Sequence, residues 1–457
     1  MKIEETFETA FQNHQKNNFK IAKKLYQKVL VKKPKHFQSI FYLGTLCIQT
    51  KKFNEAKFFY EKAIEIDSSH ASSHHNLGAI LQELGNLKKA IVCYEKVIKI
   101  DPNYTSAYSN LGKIFNEIGE HKKAIDCCDK AIKINPNFVS AYNNFGNALK
   151  KLKKYETAII YYKKALEIDP QYVVANYNLG KVFREKKNYL EAINFFQKIN
   201  TASSRAELLE CIYFSNNLSK YKIFLKELSV EDPLNLRVST MATYVSKKES
   251  ILNIYPFCRN PLQYIFIGNL KNELNLKKEF ISNFLKKLNQ IQSVWEPTSN
   301  TTKGGYQTLG NLFESEDVDI LKLKKIIEQK IKNYRKIHKN SNDFFVKKWP
   351  IKSKFSGWHV KLFQQGHQKS HIHPNGWLSG VIYLKMPNLL KGDEGSIEFT
   401  LEGYDYPSYK NLPKFIHNPK NFDIALFPSS LFHRTIPFSS KENRQVIAFD
   451  LVPSSTV

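Results

Sequence analysis

The chain has 457 residues, of which 42% are hydrophobic and 24% are charged. This composition excludes a disordered or fibrous protein and predicts about two or three domains. The formal net charge is +27, but the lysines occur in every segment and form no long block, so the charge indicates solvated helix faces rather than a nucleic-acid partner. No apolar run is long enough to predict a transmembrane helix or a secretory signal. The six cysteines form no CxxC pair, which predicts reduced core thiols in a cytoplasmic protein.

A period of 34 residues runs through the first half of the chain. A glycine recurs at this spacing, an alanine lies twelve residues after each glycine, and an aromatic residue or a cysteine lies four residues after each alanine. Six units fit the period and begin near residues 3, 37, 71, 105, 139 and 173. The recurring glycines are Gly44, Gly78, Gly112, Gly146 and Gly180.

This pattern resembles the tetratricopeptide repeat over residues 1–206. The resemblance implies that each unit is a pair of antiparallel helices, which the small glycine and alanine allow to approach closely. Because one unit cannot bury its apolar face alone, the units are expected to stack into an α-solenoid with a concave groove. The resemblance also implies that the groove binds a polypeptide or protein partner.

An asparagine occupies the sixth position of four consecutive units, on the helix that lines the groove in this family. Asparagine is a mediocre helix former, and its amide can donate to one peptide group while accepting from another. The row therefore predicts a ladder that binds the backbone of an extended polypeptide substrate, and it resembles the ladder of O-linked N-acetylglucosamine transferase. The alternative is that these side chains bond to the next helix, or that they reflect an asparagine-rich chain. The four residues are Asn76, Asn110, Asn144 and Asn178.

Residues 207–255 lose the 34-residue phase but keep a helical pattern, which predicts capping helices and a linker. Residues 256–457 begin with two helical stretches and continue, after Phe344, as short strands separated by turns. Strands at this spacing predict an antiparallel jelly roll, a double-stranded β-helix with its core at residues 345–453 and with flanking helices. The predicted fold class is thus multidomain α + β, with an N-terminal α-solenoid.

Three histidines fall where a jelly roll holds a metal. His371 and His373 flank one residue in an extended segment, so their side chains are expected on one face. His433 follows another apolar strand, about sixty residues later. Such histidines can form a facial triad like that of non-haem iron(II) oxygenases, in which the third ligand is usually a carboxylate. Arg444 begins the next strand, and its guanidinium can bind a carboxylate with two hydrogen bonds.

The segments LFQQGHQKSHIHPNGWLSGVIYL and ALFPSSLFHRTIPF, with the strand from Arg444, carry a second resemblance. They resemble an iron(II)- and 2-oxoglutarate-dependent oxygenase of the type with an H-x-H-P-N and SG-x-x-Y-L signature. The resemblance implies Fe(II) as the metal, with 2-oxoglutarate and O₂ as co-substrates. It makes Arg444 the ligand of the 5-carboxylate of 2-oxoglutarate, with Tyr383 assisting the arginine and Ser379 as a further candidate. The residues that correspond to the iron ligands are His371, His373 and His433.

His373 departs from the wider superfamily, in which the second ligand is usually aspartate. Three-histidine sites also occur in cupin-type dioxygenases that do not use 2-oxoglutarate. Arg444 favours 2-oxoglutarate, because a thiol dioxygenase would not need an arginine at that place.

The two resemblances together predict a 2-oxoglutarate-dependent Fe(II) dioxygenase that hydroxylates a polypeptide recruited by the repeat groove. Two alternatives stay open. The first is a protein-binding scaffold whose jelly roll is degenerate, and the second is a three-histidine, cupin-type metal enzyme that acts on a small molecule.

Overall fold

The computed structural model describes residues 2–274, 278–297, 301–388, 391–404 and 406–454. Contacts between residues divide the chain into two compact units, Met1–Val182 and Phe183–Val457. The segment 207–255 belongs to the second unit, together with the sheet. The domain limits predicted at residues 206 and 255 follow the repeat in the sequence and stay predictions.

Antiparallel helix pairs build the N-terminal half, and their bounds follow the repeat. The helices are α1 (Ile3–Gln15), α2 (Phe19–Lys32), α3 (Phe37–Gln49), α4 (Phe53–Ile66), α5 (Ala71–Glu83), α6 (Leu87–Ile100), α7 (Thr105–Glu117), α8 (His121–Ile134), α9 (Val139–Lys151), α10 (Tyr155–Ile168), α11 (Val173–Glu185) and α12 (Tyr189–Phe196).

Three of the recurring glycines, Gly44, Gly78 and Gly146, make room for a tyrosine ring from the second helix of the same unit. A Cβ atom on Gly44 would lie 2.8 Å from the ring of Tyr60, and one on Gly146 would lie 2.6 Å from the ring of Tyr162. Both tyrosines are fully buried. The glycine and the tyrosine recur together because the ring packs against the glycine within each of these units.

Gly112→Ala is expected to destabilise the repeat array. Its Cβ atom would lie 2.5 Å from Cys128 Sγ and 3.2 Å from the carbonyl oxygen of Ala124, and both neighbours are fully buried. Overpacking of this kind costs about 1–3 kcal/mol, so circular dichroism should report a lower midpoint of thermal unfolding. Lys113→Ala is the matched control, because Lys113 is exposed on the same helix. An unchanged midpoint for Gly112→Ala would contradict this packing.

The second unit begins with helices and ends with a run of consecutive strands. Its further helices are α13 (Ala202–Phe214), α14 (Leu218–Glu231), α15 (Leu236–Lys248), α16 (Lys271–Leu274), α17 (Lys278–Gln290), α18 (Val318–Ile337) and α19 (Phe344–Lys347), with 3₁₀ turns at Pro261–Tyr264 and Leu312–Glu314. Its strands are β1 (Phe266–Asn269), β2 (Ser293–Trp295), β3 (Thr302–Thr308), β4 (Ser353–His371), β5 (Leu378–Lys385), β6 (Ile397–Thr400), β7 (Phe415–His417), β8 (Asp423–Pro428), β9 (Phe432–Thr435) and β10 (Arg444–Pro453).

The strands form one curled antiparallel sheet. Its order is β1-β8-β5-β10-β4-β9-β6-β7, and β3 and β2 extend it from β4. β4 curls the sheet, because its first ten residues pair with β10 whereas its last residues pair with β9. Apolar side chains, among them Val360, Phe399 and Val446, form the buried core. A helical repeat solenoid followed by a strand-rich curled sheet confirms the predicted fold class.

Helices α13 and α15 bond to the sheet region of their own unit. Thr240 Oγ1 donates a 2.7 Å hydrogen bond to the carbonyl oxygen of Ser430. The hydroxyl of Tyr406 donates a 2.9 Å hydrogen bond to Glu210. These helices, which come from the predicted capping segment, are therefore part of the folded unit that contains the sheet.

A buried cluster of charges joins α11, α13 and α15. Arg184 lies 3.3 Å from Glu207 and 2.9 Å from Glu210, and Arg237 lies 2.8 and 2.9 Å from the same two carboxylates. Both glutamate side chains have 0% exposed surface. Two cations thus offset two anions, and loss of one cation would leave a buried charge uncompensated.

The cysteines and the apolarity of the helices were both considered in the sequence, and the structure describes both. None of the six cysteines, all of which lie in the described part of the chain, forms a disulfide bond, and four of them are buried: Cys47, Cys128, Cys211 and Cys258. Among the helices in the described part of the chain, none combines the length and the apolarity that crossing a bilayer requires.

Candidate metal centre

Three histidines from two strands and a turn meet in the curled sheet. His371 ends β4 and pairs directly with His433 of β9. His373 lies just beyond the end of β4, where its backbone N–H donates a 3.0 Å hydrogen bond to the carbonyl oxygen of Ser429. One nitrogen from each of the three rings lies within 4.8 Å of the others. The structure therefore brings together the three histidines that the sequence proposes as metal ligands.

Each ring is oriented by a hydrogen bond at Nδ1. His371 Nδ1 donates to the carbonyl oxygen two residues before it at 2.7 Å, and His433 Nδ1 does the same at 3.2 Å. Because carbonyl oxygens only accept, both Nδ1 atoms carry the proton and both Nε2 atoms keep a lone pair. His373 Nδ1 contacts a carboxylate, and its Nε2 is buried without a hydrogen-bond partner from any described residue. Imidazole lone pairs of this kind are ordinary metal ligands.

The surroundings keep two of these rings neutral. Burial, together with the neighbouring His373, lowers the pKa of His371 to about 3. Burial also lowers the pKa of His433 well below its ordinary value. Metal ions bind the neutral imidazole, so protons do not compete for these two rings near pH 7.

Arg444 opens β10 and lines the same cavity as the histidines. It is 2% exposed, and its Nε and Nη1 atoms have no hydrogen-bond partner in the part of the chain that the structure describes. Among the described residues it also has no ion-pair partner, and burial lowers the pKa of its guanidinium. A buried cation with unused donors is costly unless an anion pairs with it. The cavity therefore offers a site for an anionic group beside the histidine cluster.

Tyr383 and Ser379 are the other two residues predicted to bind the cofactor, and they differ in their contact with the cavity. Tyr383 is fully buried on β5, with the centre of its ring 5.1 Å from the guanidinium carbon of Arg444. Tyr383 is not one of the described residues that line the cavity. Ser379 does line the cavity, but its hydroxyl donates a 2.7 Å hydrogen bond to Asp450. Direct contact of either residue with a cofactor stays a prediction.

The rest of the cavity wall is mainly apolar. The ring of Trp358 stacks on His373, with 5.6 Å between ring centres and 25° between the planes. Apolar walls exclude water and so strengthen the electrostatic interactions of the polar groups inside. The remaining lining residues are Gln368, Gly380, Val381, Ile397, Phe427, Thr435 and Ala448.

Asp450 is a residue of the site that sequence reasoning missed. It is 8% exposed on β10, and its two carboxylate oxygens lie 2.7 and 2.8 Å from His373 Nδ1. The available signal was a single acid inside the apolar strand RQVIAFDLVP, since a buried carboxylate needs a partner. Its partner lies 77 residues away in the chain, so the local pattern could not identify it.

The four asparagines of the predicted ladder donate hydrogen bonds within the repeat array. Asn76 Nδ2 donates to the Tyr60 hydroxyl at 3.1 Å, and Asn110 Nδ2 donates to the Tyr94 hydroxyl at 3.3 Å. The two further donations run from Asn144 to Ser109 and from Asn178 to Asn143. All four of these partners lie on preceding helices and not on the next helix of the chain. Peptide binding by the ladder stays a prediction.

The chain combines a repeat solenoid with a curled sheet that holds three histidines and a buried arginine. This combination defines the class of repeat proteins that are fused to an oxygenase-type jelly roll. Residues 356–450 match the family model described as "Putative 2OG-Fe(II) oxygenase". The repeat half matches tetratricopeptide models at residues 38–70, 71–104, 105–138, 127–160, 146–187 and 173–204. The chain therefore carries tetratricopeptide repeats and a C-terminal domain of this oxygenase type, and both resemblances drawn from the sequence are confirmed.

The chain is also similar to solved repeat proteins. MamA protein is 28% identical, over 37% of this chain and 92% of that chain, with a TM-score of 0.35. A tetratricopeptide repeat protein from Parabacteroides merdae is 17% identical, over 49% and 91%, with a TM-score of 0.44. YrrB, described as a TPR protein with an unusual peptide-binding site, is 21% identical, over 43% and 95%, with a TM-score of 0.32. No curated protein matches the chain.

Proposed function

We propose that this protein is an Fe(II)- and 2-oxoglutarate-dependent dioxygenase that hydroxylates a polypeptide recruited by its repeat groove. The observation that supports this best is one cavity lined by His371, His373, His433 and Arg444. A cluster of nitrogen ligands and a buried cation for the far carboxylate of 2-oxoglutarate are the two groups that this chemistry needs side by side.

The donor set fits the metal and the co-substrate. Three imidazoles, those of His371, His373 and His433, would hold Fe(II) and leave coordination positions for 2-oxoglutarate and O₂. When bound, the iron supplies oxidative chemistry in which 2-oxoglutarate and O₂ become succinate and CO₂ while a substrate C–H becomes C–OH.

The other residues of the cavity bind, orient and exclude water. Arg444 would bind the 5-carboxylate of 2-oxoglutarate through its unused N–H groups, and the ring of Tyr383, which packs on the guanidinium, would help to orient it. Trp358 and Phe427 line the cavity with apolar surface. They would keep water away from the reacting groups and thereby suppress side reactions.

The repeat array supports a polypeptide as the substrate. Tetratricopeptide repeats generally mediate interactions between proteins, and the matched repeats cover residues 38–204. The four ladder asparagines are half-buried rather than enclosed. An amide has one acceptor oxygen and two donor hydrogens, so it can bond to a tyrosine and to a peptide at once.

The test is formation of succinate. Protein reconstituted with Fe(II) under anaerobic conditions and then given 2-oxoglutarate and O₂ should produce succinate above background, with more in the presence of a suitable peptide. His433→Ala should lower the rate more than about 100-fold. Loss of a residue that only hydrogen-bonds to a metal ligand already costs about 10–100-fold in affinity or activity, and His433 is itself a proposed ligand. His367→Ala should retain the rate, because His367 lies on β4 but not among the described residues that line the cavity.

Two outcomes would contradict the proposal. Absence of succinate above background from the iron-loaded protein, with and without peptides, favours the scaffold alternative. Turnover of a small molecule that never depends on 2-oxoglutarate favours a three-histidine, cupin-type enzyme.

A further inference from the structure

We infer that Asp450 is a positioning residue of the candidate metal centre, which orients His373 and supplies the negative charge that an aspartate ligand carries in most related oxygenases. The inference rests on the proposed function, because it gives Asp450 a role through a histidine that binds the metal. Nothing in the local sequence assigns this role, since the two side chains meet only in the folded sheet.

The sheet places Asp450 on the inner face and holds it there. Side chains alternate along a strand, and Asp450 lies an even number of positions after Arg444 on β10, so both face the same side. In the register of the sheet Asp450 is opposite Ser379 of β5, whose hydroxyl donates a 2.7 Å hydrogen bond to Oδ1. The Ser379 hydroxyl lies 2.8 Å from that of Ser429. The carboxylate is therefore oriented by its neighbours independently of any metal.

The partner of His373 differs in charge from the partners of the other two rings. His371 and His433 donate to neutral backbone carbonyls, whereas His373 Nδ1 lies 2.7 and 2.8 Å from the two oxygens of Asp450. A hydrogen bond to an ionised acceptor is roughly twice as strong as a neutral one. A carboxylate behind a ligating histidine fixes its tautomer and orientation and makes it a stronger base. The negative charge that the three-histidine set lacks thus lies one hydrogen bond away.

A glycine lets the turn that carries His373 approach the carboxylate. A Cβ atom on Gly376 would lie 2.6 Å from Ser429 Oγ and 3.2 Å from Asp450 Cγ. A side chain at this position would push the turn away from β10. Gly376 is therefore part of the same arrangement.

Titration of the full-length protein with Co(II), without 2-oxoglutarate and without substrate, tests the role of Asp450. Asp450→Ala is expected to weaken Co(II) binding by about 10–100-fold. Asp450→Asn should weaken it by about 10-fold, because the amide oxygen still accepts from Nδ1 but carries no charge. The visible d–d absorption of bound Co(II) should change in both variants, since it reports the ligand geometry.

Asp423→Asn is the matched control. Asp423 is another buried aspartate of the sheet, and its Oδ2 lies 3.1 Å from His417 Nε2, but neither residue lines the cavity among the described residues. The control should keep the wild-type Co(II) affinity and spectrum even where its thermal midpoint falls as far as that of Asp450→Asn. A purely structural role for Asp450 predicts instead that the two variants behave alike.

Equal Co(II) affinity and spectra in the wild-type and Asp450→Asn proteins would overturn the inference and leave the metal centre in place. Absence of Co(II) binding by the wild-type protein would overturn the proposed function itself, and the inference with it. If circular dichroism shows that Asp450→Ala does not fold, Asp450→Asn, which keeps the shape of the side chain, decides the question.

Discussion

Arg444→Met is expected to remove 2-oxoglutarate binding while leaving the histidine cluster able to bind metal. Arg444 is buried with two unused nitrogen donors in the cavity that the histidines line. Loss of one partner of a buried, hydrogen-bonded charge pair costs about 2–5 kcal/mol, which corresponds to at least about a 30-fold rise in Kd. Isothermal titration calorimetry measures this Kd directly. The protein is loaded with Mn(II) in place of Fe(II) and titrated with 2-oxoglutarate.

The Arg444→Met variant also distinguishes a role of Arg444 in binding 2-oxoglutarate from a role in a structural ion pair. Since Arg444 has no ion-pair partner among the described residues, the methionine variant without ligands should keep or raise the midpoint of thermal unfolding. Arg434→Met is the matched control, because Arg434 follows His433 on β9 but bonds to Glu398 outside the cavity. Wild-type affinity for 2-oxoglutarate in Arg444→Met would show that the dicarboxylate is held elsewhere or not used.

A fragment that begins at residue 256 is expected to be unfolded, although the sequence places a domain limit there. It lacks α13 and α15, and so removes the hydrogen bonds of Ser430 to Thr240 and of Tyr406 to Glu210. It also exposes the apolar surface that these helices cover. Circular dichroism and size-exclusion chromatography of residues 173–457, 207–457 and 256–457 should show a folded, an intermediate and an unfolded species.

The intermediate behaviour of residues 207–457 is expected because this fragment lacks the first five residues of α13 and one buried cation. That fragment keeps Arg237 but loses Arg184, so Glu207 and Glu210 remain buried with a single positive partner. Breaking a buried ion pair costs about 3–5 kcal/mol. Arg184→Met in the longest fragment should lower its midpoint of unfolding similarly. A folded fragment 256–457 with the Co(II) affinity of the full chain would contradict this account.

The repeat half was predictable because its determinants are local and recur. The spacing of Gly44, Gly78 and Gly146 reflects one packing rule, a glycine against a tyrosine ring of the same unit. The sequence could not show where the asparagine amides bond, because that depends on how successive units stack. Tyr60 lies 16 residues before Asn76 and on another helix, and either a helix or a bound peptide satisfies the same amide.

The sequence could predict which residues meet at the candidate site, but it could not predict which residues support them. His371, His433 and Arg444 stand at strand ends, where alternation and turn signals indicate an inward-facing side chain. Asp450 stands inside a strand of apolar residues, and its partner is set by the register of β10 against β5. β10 and β5 are far apart in the sequence, so their register is set only when the whole sheet forms.

The sequence by itself determined the repeat solenoid, the jelly-roll class and the set of histidines with a distant arginine, because periodicity and residue chemistry act over short distances. Only the tertiary structure decided that His373 meets Asp450 and that α13 and α15 belong to the unit with the sheet. Both are contacts between parts of the chain that are distant in sequence, and burial makes them specific: a carboxylate or a guanidinium removed from water must find a particular partner.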